Sequence, residues 1–145
     1  MKLLIEDSIV LDVLREDEQN VDGSAAVLSI VEAGYASGFI TPHGIIRIYD
    51  SLRSEMGRSQ THGVMGDIMS LLSTVTITDE VIMEALSFGW SDIRDAIVGA
   101  AAIHNDINYL IVRQPKNYRS LRLPVLTPEE FVAQSQSETY PLKTG

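Results

Sequence analysis

Apolar residues occur along the chain in two kinds of pattern, short unbroken runs and longer stripes with helical spacing. The runs at positions 2–5 and 109–112 have the composition of short strands buried in a sheet. In the stripes, apolar residues recur every three or four positions, which predicts amphipathic helices. Short strands that alternate with such helices predict an α/β fold, with a mostly parallel central sheet between two helical layers in a three-layer α/β/α arrangement.

Capping residues and glycines indicate where the predicted helices begin and end. We expect helices over 22–33, 42–56, 60–73, 79–86 and 92–104, and an additional β-branched strand over 74–77. The string Thr127-Pro128-Glu129-Glu130 has the form of a capping box with proline at the first helical position, so a last helix begins there. Apolar periodicity is lost near the end of the chain. We therefore divide it into a domain over 1–132 and a frayed tail over 133–145.

Composition narrows the class of protein. The chain has 145 residues, of which 45% are hydrophobic, and this predicts one soluble globular domain. It contains no cysteine, which excludes thiolate catalysis, iron–sulfur clusters and cysteine zinc sites. No apolar stretch approaches the roughly 18–20 residues of a membrane span, and the first residues lack a signal segment. We therefore expect a cytoplasmic protein without a membrane partner.

The net charge of −9 argues against avid, nonspecific binding to nucleic acid, but it does not exclude a nuclease with an acidic metal site. The three histidines, His43, His62 and His104, lie in different predicted elements, without the spacing of zinc ligands. No Gly-x-Ser-x-Gly string and no phosphate-binding loop is present. The remaining candidate chemistry is that of the carboxylates.

Carboxylates occur where a parallel sheet has its ligand site, beyond the carboxyl ends of the strands. Glu6 and Asp7 follow the first strand, and Asp92 and Asp95 lie three residues apart on one face of a predicted helix start. An oxygen-only set of this kind suits Mg²⁺ or Mn²⁺. The simpler interpretation is that Asp92 and Asp95 cap their helix. Asp7 or Ser8 likewise caps a first helix, which the helical spacing of Ile9, Val10, Val13 and Leu14 predicts.

The order of these segments resembles that of PIN domains. The opening Met-Lys-Leu-Leu-Ile-Glu-Asp-Ser is similar to the hydrophobic strand and Asp-Thr-Asn string with which PIN domains start. The segments at 39–41, 90–96, 109–112 and 123–131 then follow in the order of small bacterial PIN domains. Leu-Thr-Pro-Glu-Glu-Phe at 126–131 is the most specific local match. The resemblance covers residues 1–132 and implies the same three-layer fold.

PIN domains are typically Mg²⁺- or Mn²⁺-dependent ribonucleases, many of them toxins of toxin–antitoxin pairs, in which several carboxylates surround the metal. Position by position, the resemblance assigns the first acid to Glu6, with Asp7 beside it, and the third to Asp95, with Asp92 close by. It implies a catalytic role for all four and metal ligation by Glu6 and Asp95. It also implies an RNA substrate and an antitoxin-like protein partner.

Two positions depart from the family pattern. The second acid falls on Arg47 and the fourth on Asn117, so a cation and an amide replace two carboxylates. The lost negative charge weakens divalent-metal binding, and Arg47 is expected to pair with Asp95 or Glu6 instead. If residues 39–56 are aligned with the family pattern one helical turn further along, Asp50 rather than Arg47 faces the site.

Three hypotheses follow. The favoured one is a PIN-like protein whose ribonuclease site has decayed and which is kept for binding or regulation. The second is a working metal-dependent ribonuclease of a toxin–antitoxin pair, and the third is a nonenzymatic interaction domain whose acids are helix caps. The surroundings of Arg47 distinguish them.

We also predict a homodimer, because PIN-like domains commonly pair and because the helices over 24–33 and 42–56 carry more apolar surface than one sheet face covers. The aromatic residues Tyr35, Phe39 and Tyr49 are the candidate contacts.

Overall fold

A sheet of five short strands forms the centre of the part of the chain that the structure describes. They are β1 Lys2–Ile5, β2 Ser37–Ile40, β3 Leu72–Thr74, β4 Tyr109–Ile111 and β5 Val125–Leu126. All neighbouring pairs are parallel, in the order β3-β2-β1-β4-β5. The computed structural model describes the backbone of residues 1–144 and the side chains of residues 1–136. The chain leaves β1 towards β2 on one side and returns to β4 on the other, so the strand order reverses beside β1.

Helices cover both faces of this sheet. Those in the described part of the chain are α1 Asp7–Leu14, α2 Val21–Glu32, α3 Pro42–Leu71, α4 Asp79–Ser87, α5 Ile93–His104 and α6 Pro128–Thr144, with a short 3₁₀ helix over Pro115–Tyr118. None of them is both long and apolar enough to cross a membrane.

Successive residues of β1 point to opposite faces of the sheet and so enter two separate cores. Leu3 and Ile5 pack in the core formed with α1, α2, α3 and α6. Leu4 packs on the other face with apolar residues of α4 and α5. The predicted three-layer α/β/α fold with a parallel sheet is confirmed.

Gly57 interrupts the long helix α3. Its φ of 80° and ψ of 171° lie outside the helical region, in a conformation that glycine adopts far more readily than other residues. The interruption divides α3 into two limbs, which correspond to the separate helices predicted over 42–56 and 60–73.

Two predicted boundaries are wrong by a few residues. The strand expected over 74–77 is β3 at Leu72–Thr74, because Leu72 pairs with Gly38 and its side chain fills the space that a Cβ at Gly38 would need. Thr78, rather than Asp79, caps α4, and its hydroxyl accepts a hydrogen bond from the Val81 amide at 3.3 Å.

The capping box at the start of α6 is confirmed in both directions. The Thr127 hydroxyl accepts from the Glu130 amide at 3.1 Å, and the Glu130 carboxylate accepts from the Thr127 amide at 2.8 Å. The frayed tail over 133–145 stays a prediction, because most of its side chains lie outside the described residues.

Candidate functional site

Glu6 lies directly beyond the carboxyl end of β1, the central strand. Its amide donates to the carbonyl of Ile111 at 3.0 Å, which continues the pairing of β1 with β4. One carboxylate oxygen, Oε1, accepts from the Ser8 hydroxyl at 2.5 Å and from the Arg113 amide at 3.2 Å. The prediction that Asp7 or Ser8 caps α1 is wrong, because Glu6 occupies the N-cap position and Asp7 is already helical.

Tyr118 connects Glu6 with Asp95. The Tyr118 side chain is only 2% exposed, and its hydroxyl oxygen lies 3.2 Å from Glu6 Oε2 and 3.0 Å from Asp95 Oδ1. The 3₁₀ helix after β4 brings Tyr118 to this position, and the first turn of α5 brings Asp95. The structure thus brings together two of the predicted acids, with a phenol hydroxyl between them.

Arg47 pairs with Asp7. Its Nη1 atom lies 3.2 Å from Asp7 Oδ2 and 3.5 Å from Oδ1. The predicted pairing of Arg47 with Asp95 or Glu6 is therefore wrong, because the first turn of α3 packs beside Asp7, at the start of α1. Asp50 is exposed, and the ion pair with Asp7 shows that Arg47 is the residue that faces the acids.

The other two predicted site residues, Asp92 and Asn117, do not share these contacts among the described residues, although the charge of Asp92 adds to the burial that raises the pKa of Asp95. Asp92 is the N-cap of α5, where it accepts from the Arg94 amide at 2.9 Å, and it forms an ion pair with the Arg94 side chain at 3.5 Å. The interpretation of Asp92 as a helix cap is confirmed, whereas Asp95 is directed to Tyr118. Asn117 is exposed on the 3₁₀ helix.

Burial controls the protonation of this cluster. It raises the pKa of Asp7, an effect that the Arg47 guanidinium opposes without overcoming. Burial likewise raises the pKa of Asp95, against the hydrogen bond from Tyr118, and raises the pKa of the Tyr118 phenol, which stays neutral. At His43 burial lowers the pKa, and the cationic Arg47 acts in the same direction.

The sequence patterns assign no role to Arg113. It follows β4, is mostly buried, and pairs with Asp12 of α1, while its Nη2 atom donates to the fully buried hydroxyl of Ser24 of α2 at 2.6 Å. Glu129 of α6 lies 4.0 Å from its other terminal nitrogen. The sequence patterns likewise assign no role to Tyr118, because nothing in its spacing indicates contact with the acids.

The residues do not fit a divalent cation in this arrangement. In favour of one, Asp7 Oδ2 is buried and accepts no hydrogen bond from any described residue. Against it, Arg47 supplies a positive charge to that carboxylate, and Tyr118 lies between Glu6 and Asp95. Within residues 1–136, no group of three or more histidine, aspartate or glutamate side chains is arranged to hold a metal ion.

Comparison with known proteins gives a family and a fold. A family model described as the PIN domain matches residues 2–115. No curated protein matches the chain.

Several solved structures are similar in fold at low sequence identity. A chain of a toxin–antitoxin complex from Klebsiella pneumoniae is 17% identical with a TM-score of 0.66, and the match covers 87% of this chain and 97% of that one. VapBC-1 from nontypeable Haemophilus influenzae is 7% identical, with a TM-score of 0.69 and coverage of 89% and 99%. VapBC2 from Rickettsia felis, bound to a DNA fragment from its promoter, is 10% identical, with a TM-score of 0.66 and coverage of 87% and 97%.

Proposed function

The chain belongs to the PIN-domain family, and from this we propose that it is a PIN domain whose metal-dependent ribonuclease site has decayed and which acts in binding or regulation. The observation that carries the proposal is the ion pair between Arg47 and Asp7. The family resemblance assigns an acid to position 47. Here a guanidinium at that position neutralises a buried carboxylate that a metal would otherwise need.

The neighbouring groups support the same proposal. A divalent cation gains most from carboxylate oxygens that are free to coordinate it. Glu6 already accepts hydrogen bonds from Ser8, Arg113 and Tyr118, so its oxygens are engaged within the protein. Asn117 supplies no negative charge and is exposed.

The alternative is an active Mg²⁺- or Mn²⁺-dependent ribonuclease of a toxin–antitoxin pair. One observation favours it: Asp7 Oδ2 is buried and accepts no hydrogen bond among the described residues. The Arg47 side chain is 54% exposed, so it has room to leave Asp7. In this alternative, Glu6, Asp7, Asp92 and Asp95 act together on RNA once Arg47 has moved.

Isothermal titration with Mn²⁺, together with a ribonuclease assay, separates the two. We expect the unmodified protein to bind Mn²⁺ weakly and to leave RNA intact, and the double variant Arg47→Glu/Asn117→Asp to bind it more tightly. Arg53→Glu makes the same two-unit charge change as Arg47→Glu at an exposed site on the same helix, and is the matched control for that substitution. Tight binding by the unmodified protein, abolished by Asp95→Asn, would overturn the decayed-site proposal and establish the alternative.

We further propose an antitoxin-like protein partner, because solved structures with this fold include toxin–antitoxin complexes. A cleft of about 540 Å³ between α1, α2 and the end of α3 offers an apolar surface for it, with Leu14 partly exposed at its edge. The partner protein is expected to copurify with the unmodified protein and to be lost with Leu14→Glu. Retention of the partner by this variant would contradict the assignment of the cleft.

A homodimer is proposed on a different surface. Ile46 is 60% exposed and lines a cleft of about 270 Å³ with Tyr49 and His62, whose side chains lie 3.0 Å apart. Of the aromatic residues predicted as contacts, Tyr35 is exposed, whereas Phe39 packs against this chain's own core. We expect sedimentation to give a dimer that Ile46→Glu dissociates, and a monomer at high micromolar concentration would contradict it.

A further inference from the structure

The Tyr118 hydroxyl lies between the two acids that the family resemblance assigns to the metal. We propose that this hydroxyl takes the place of a cation between Glu6 and Asp95, so that Tyr118 is the positioning residue that closes the decayed site. The proposal rests on the proposed function and deepens it, because it names the group that now holds the acids together. Arg47 does not fill this role, since its partner is Asp7.

The geometry carries the inference. The Tyr118 oxygen is 3.0 Å from one carboxylate oxygen and 3.2 Å from another, so a single hydroxyl proton is shared between two acceptors. Two carboxylates as close as those of Glu6 and Asp95 repel each other unless a positive charge or the positive end of a dipole lies between them. The polarised O–H bond is the positive group available there, and it is weaker than a divalent ion but needs no hydration shell to be removed.

The ring of Tyr118 fixes the hydroxyl at this point. It is buried, and it meets the ring of Trp90 edge to face with centroids 5.9 Å apart. Because the ring is held by packing, removal of the hydroxyl alone leaves the surrounding core in place. Tyr118→Phe therefore isolates the contribution of one oxygen and its proton.

Tyr118→Phe is expected to lose a hydrogen bond and to bind a divalent metal more tightly. Without the hydroxyl, Glu6 and Asp95 lose their shared donor and face each other across a space about the size of one oxygen atom. A divalent ion then relieves a repulsion that is absent in the unmodified protein, so we expect the Mn²⁺ dissociation constant to fall about tenfold. Tyr118→Phe should also unfold at a lower temperature in EDTA and recover in millimolar MnCl₂, since a ligand that binds the folded state stabilises it.

The chain provides a local optical probe and a matched control. Trp90 is its single tryptophan, so quenching of its fluorescence by Mn²⁺ reports metal beside Tyr118. Tyr109→Phe removes another hydroxyl, which accepts from Gln134 at 3.3 Å, and its ring packs on the opposite face of the sheet. This control is expected to lose some stability in EDTA without recovery in MnCl₂ and without quenching.

The experiment combines Mn²⁺ titration, Trp90 fluorescence and thermal unfolding on the unmodified protein and both variants. Tighter binding, quenching and recovery in Tyr118→Phe alone support the proposal. Binding by Tyr118→Phe that equals that of the unmodified protein, or equal recovery of Tyr109→Phe, overturns it. The titration of the unmodified protein tests the proposed function separately: tight binding there overturns the decayed site, whatever Tyr118→Phe does.

Discussion

Substitution of Arg47 by methionine tests whether the guanidinium is what makes a buried Asp7 tolerable. The Asp7 side chain is 8% exposed and Arg47 is 54% exposed, with 3.2 Å between the charged atoms. At this separation, and with an effective dielectric constant of roughly 40 to 80 for a half-exposed pair, the attraction is about 1.3–2.6 kcal/mol. Methionine keeps most of the apolar stem. We expect a loss of about 1–2 kcal/mol in the free energy of unfolding.

The assay is equilibrium unfolding in urea at pH 7 with EDTA present, which keeps divalent metal out of the comparison. For a domain of this size the expected loss corresponds to a fall in Tm of roughly 3–7 °C. The exposed ion pair between Arg15 and Glu55, at 2.9 Å, provides the control. Arg15→Met should cost at most about 0.5 kcal/mol, because exposed pairs contribute little.

A double-mutant cycle with Asp7→Asn completes the test. If Arg47 acts through Asp7, Arg47→Met should cost much less once residue 7 is neutral, and the two changes will not be additive. Additive effects, or an Arg47→Met protein as stable as the unmodified one, would refute the reasoning that this pair neutralises a buried charge.

Three further outcomes follow from particular groups. Burial lowers the pKa of His43 below its usual value of 6.5. The stability that the neutral imidazole contributes is therefore present above pH 6.5 and is lost as the pH falls. The free energy of unfolding should drop from about pH 7 to 5, and the drop should be smaller in His43→Gln. Equal slopes in the two proteins would contradict this. Gly57→Ala should cost about 1–3 kcal/mol because of the positive φ, whereas Gly63→Ala, at a helical position with open space, should be neutral or slightly stabilising in the same thermal unfolding assay. Thr127→Ala should lose about 1 kcal/mol with the capping hydroxyl, as measured by urea unfolding, and an unchanged midpoint would mean that the cap contributes nothing.

The fold was predictable because its signals are local. Buried strands need unbroken apolar runs, and helix starts need a side-chain acceptor, so β1, β4 and the caps Thr41, Asp92 and Thr127 can be read from a few neighbouring residues. β3 was misplaced because its position depends on a distant partner. Gly38 lacks the side chain that would exclude Leu72, and no pattern within residues 72–77 carries that information.

The sequence predicts where the candidate site lies, but it does not predict which of the side chains there pair with each other. Topology alone brings Glu6 and Asp95 to the same edge of the sheet. Whether Arg47 pairs with Asp7, as it does, or with Glu6 or Asp95 depends on differences of a few ångströms between side chains on separate helices. Tyr118 was missed because a tyrosine in an apolar setting has the same sequence signal whether its hydroxyl meets solvent or two carboxylates.

Glu6 also has a structural role in the sheet. Its carboxylate accepts a hydrogen bond from the Arg113 amide, which extends the pairing of β1 with β4 beyond the last bond between backbone groups. An aspartate at this position is one methylene shorter and would leave that amide without its acceptor. The same side chain is thus a structural part of the pairing between β1 and the segment after β4. Any route to a metal site that replaces Glu6 therefore weakens this edge of the sheet as well, whereas changes at Arg47, Asn117 and Tyr118 leave the bond between Glu6 and the Arg113 amide in place.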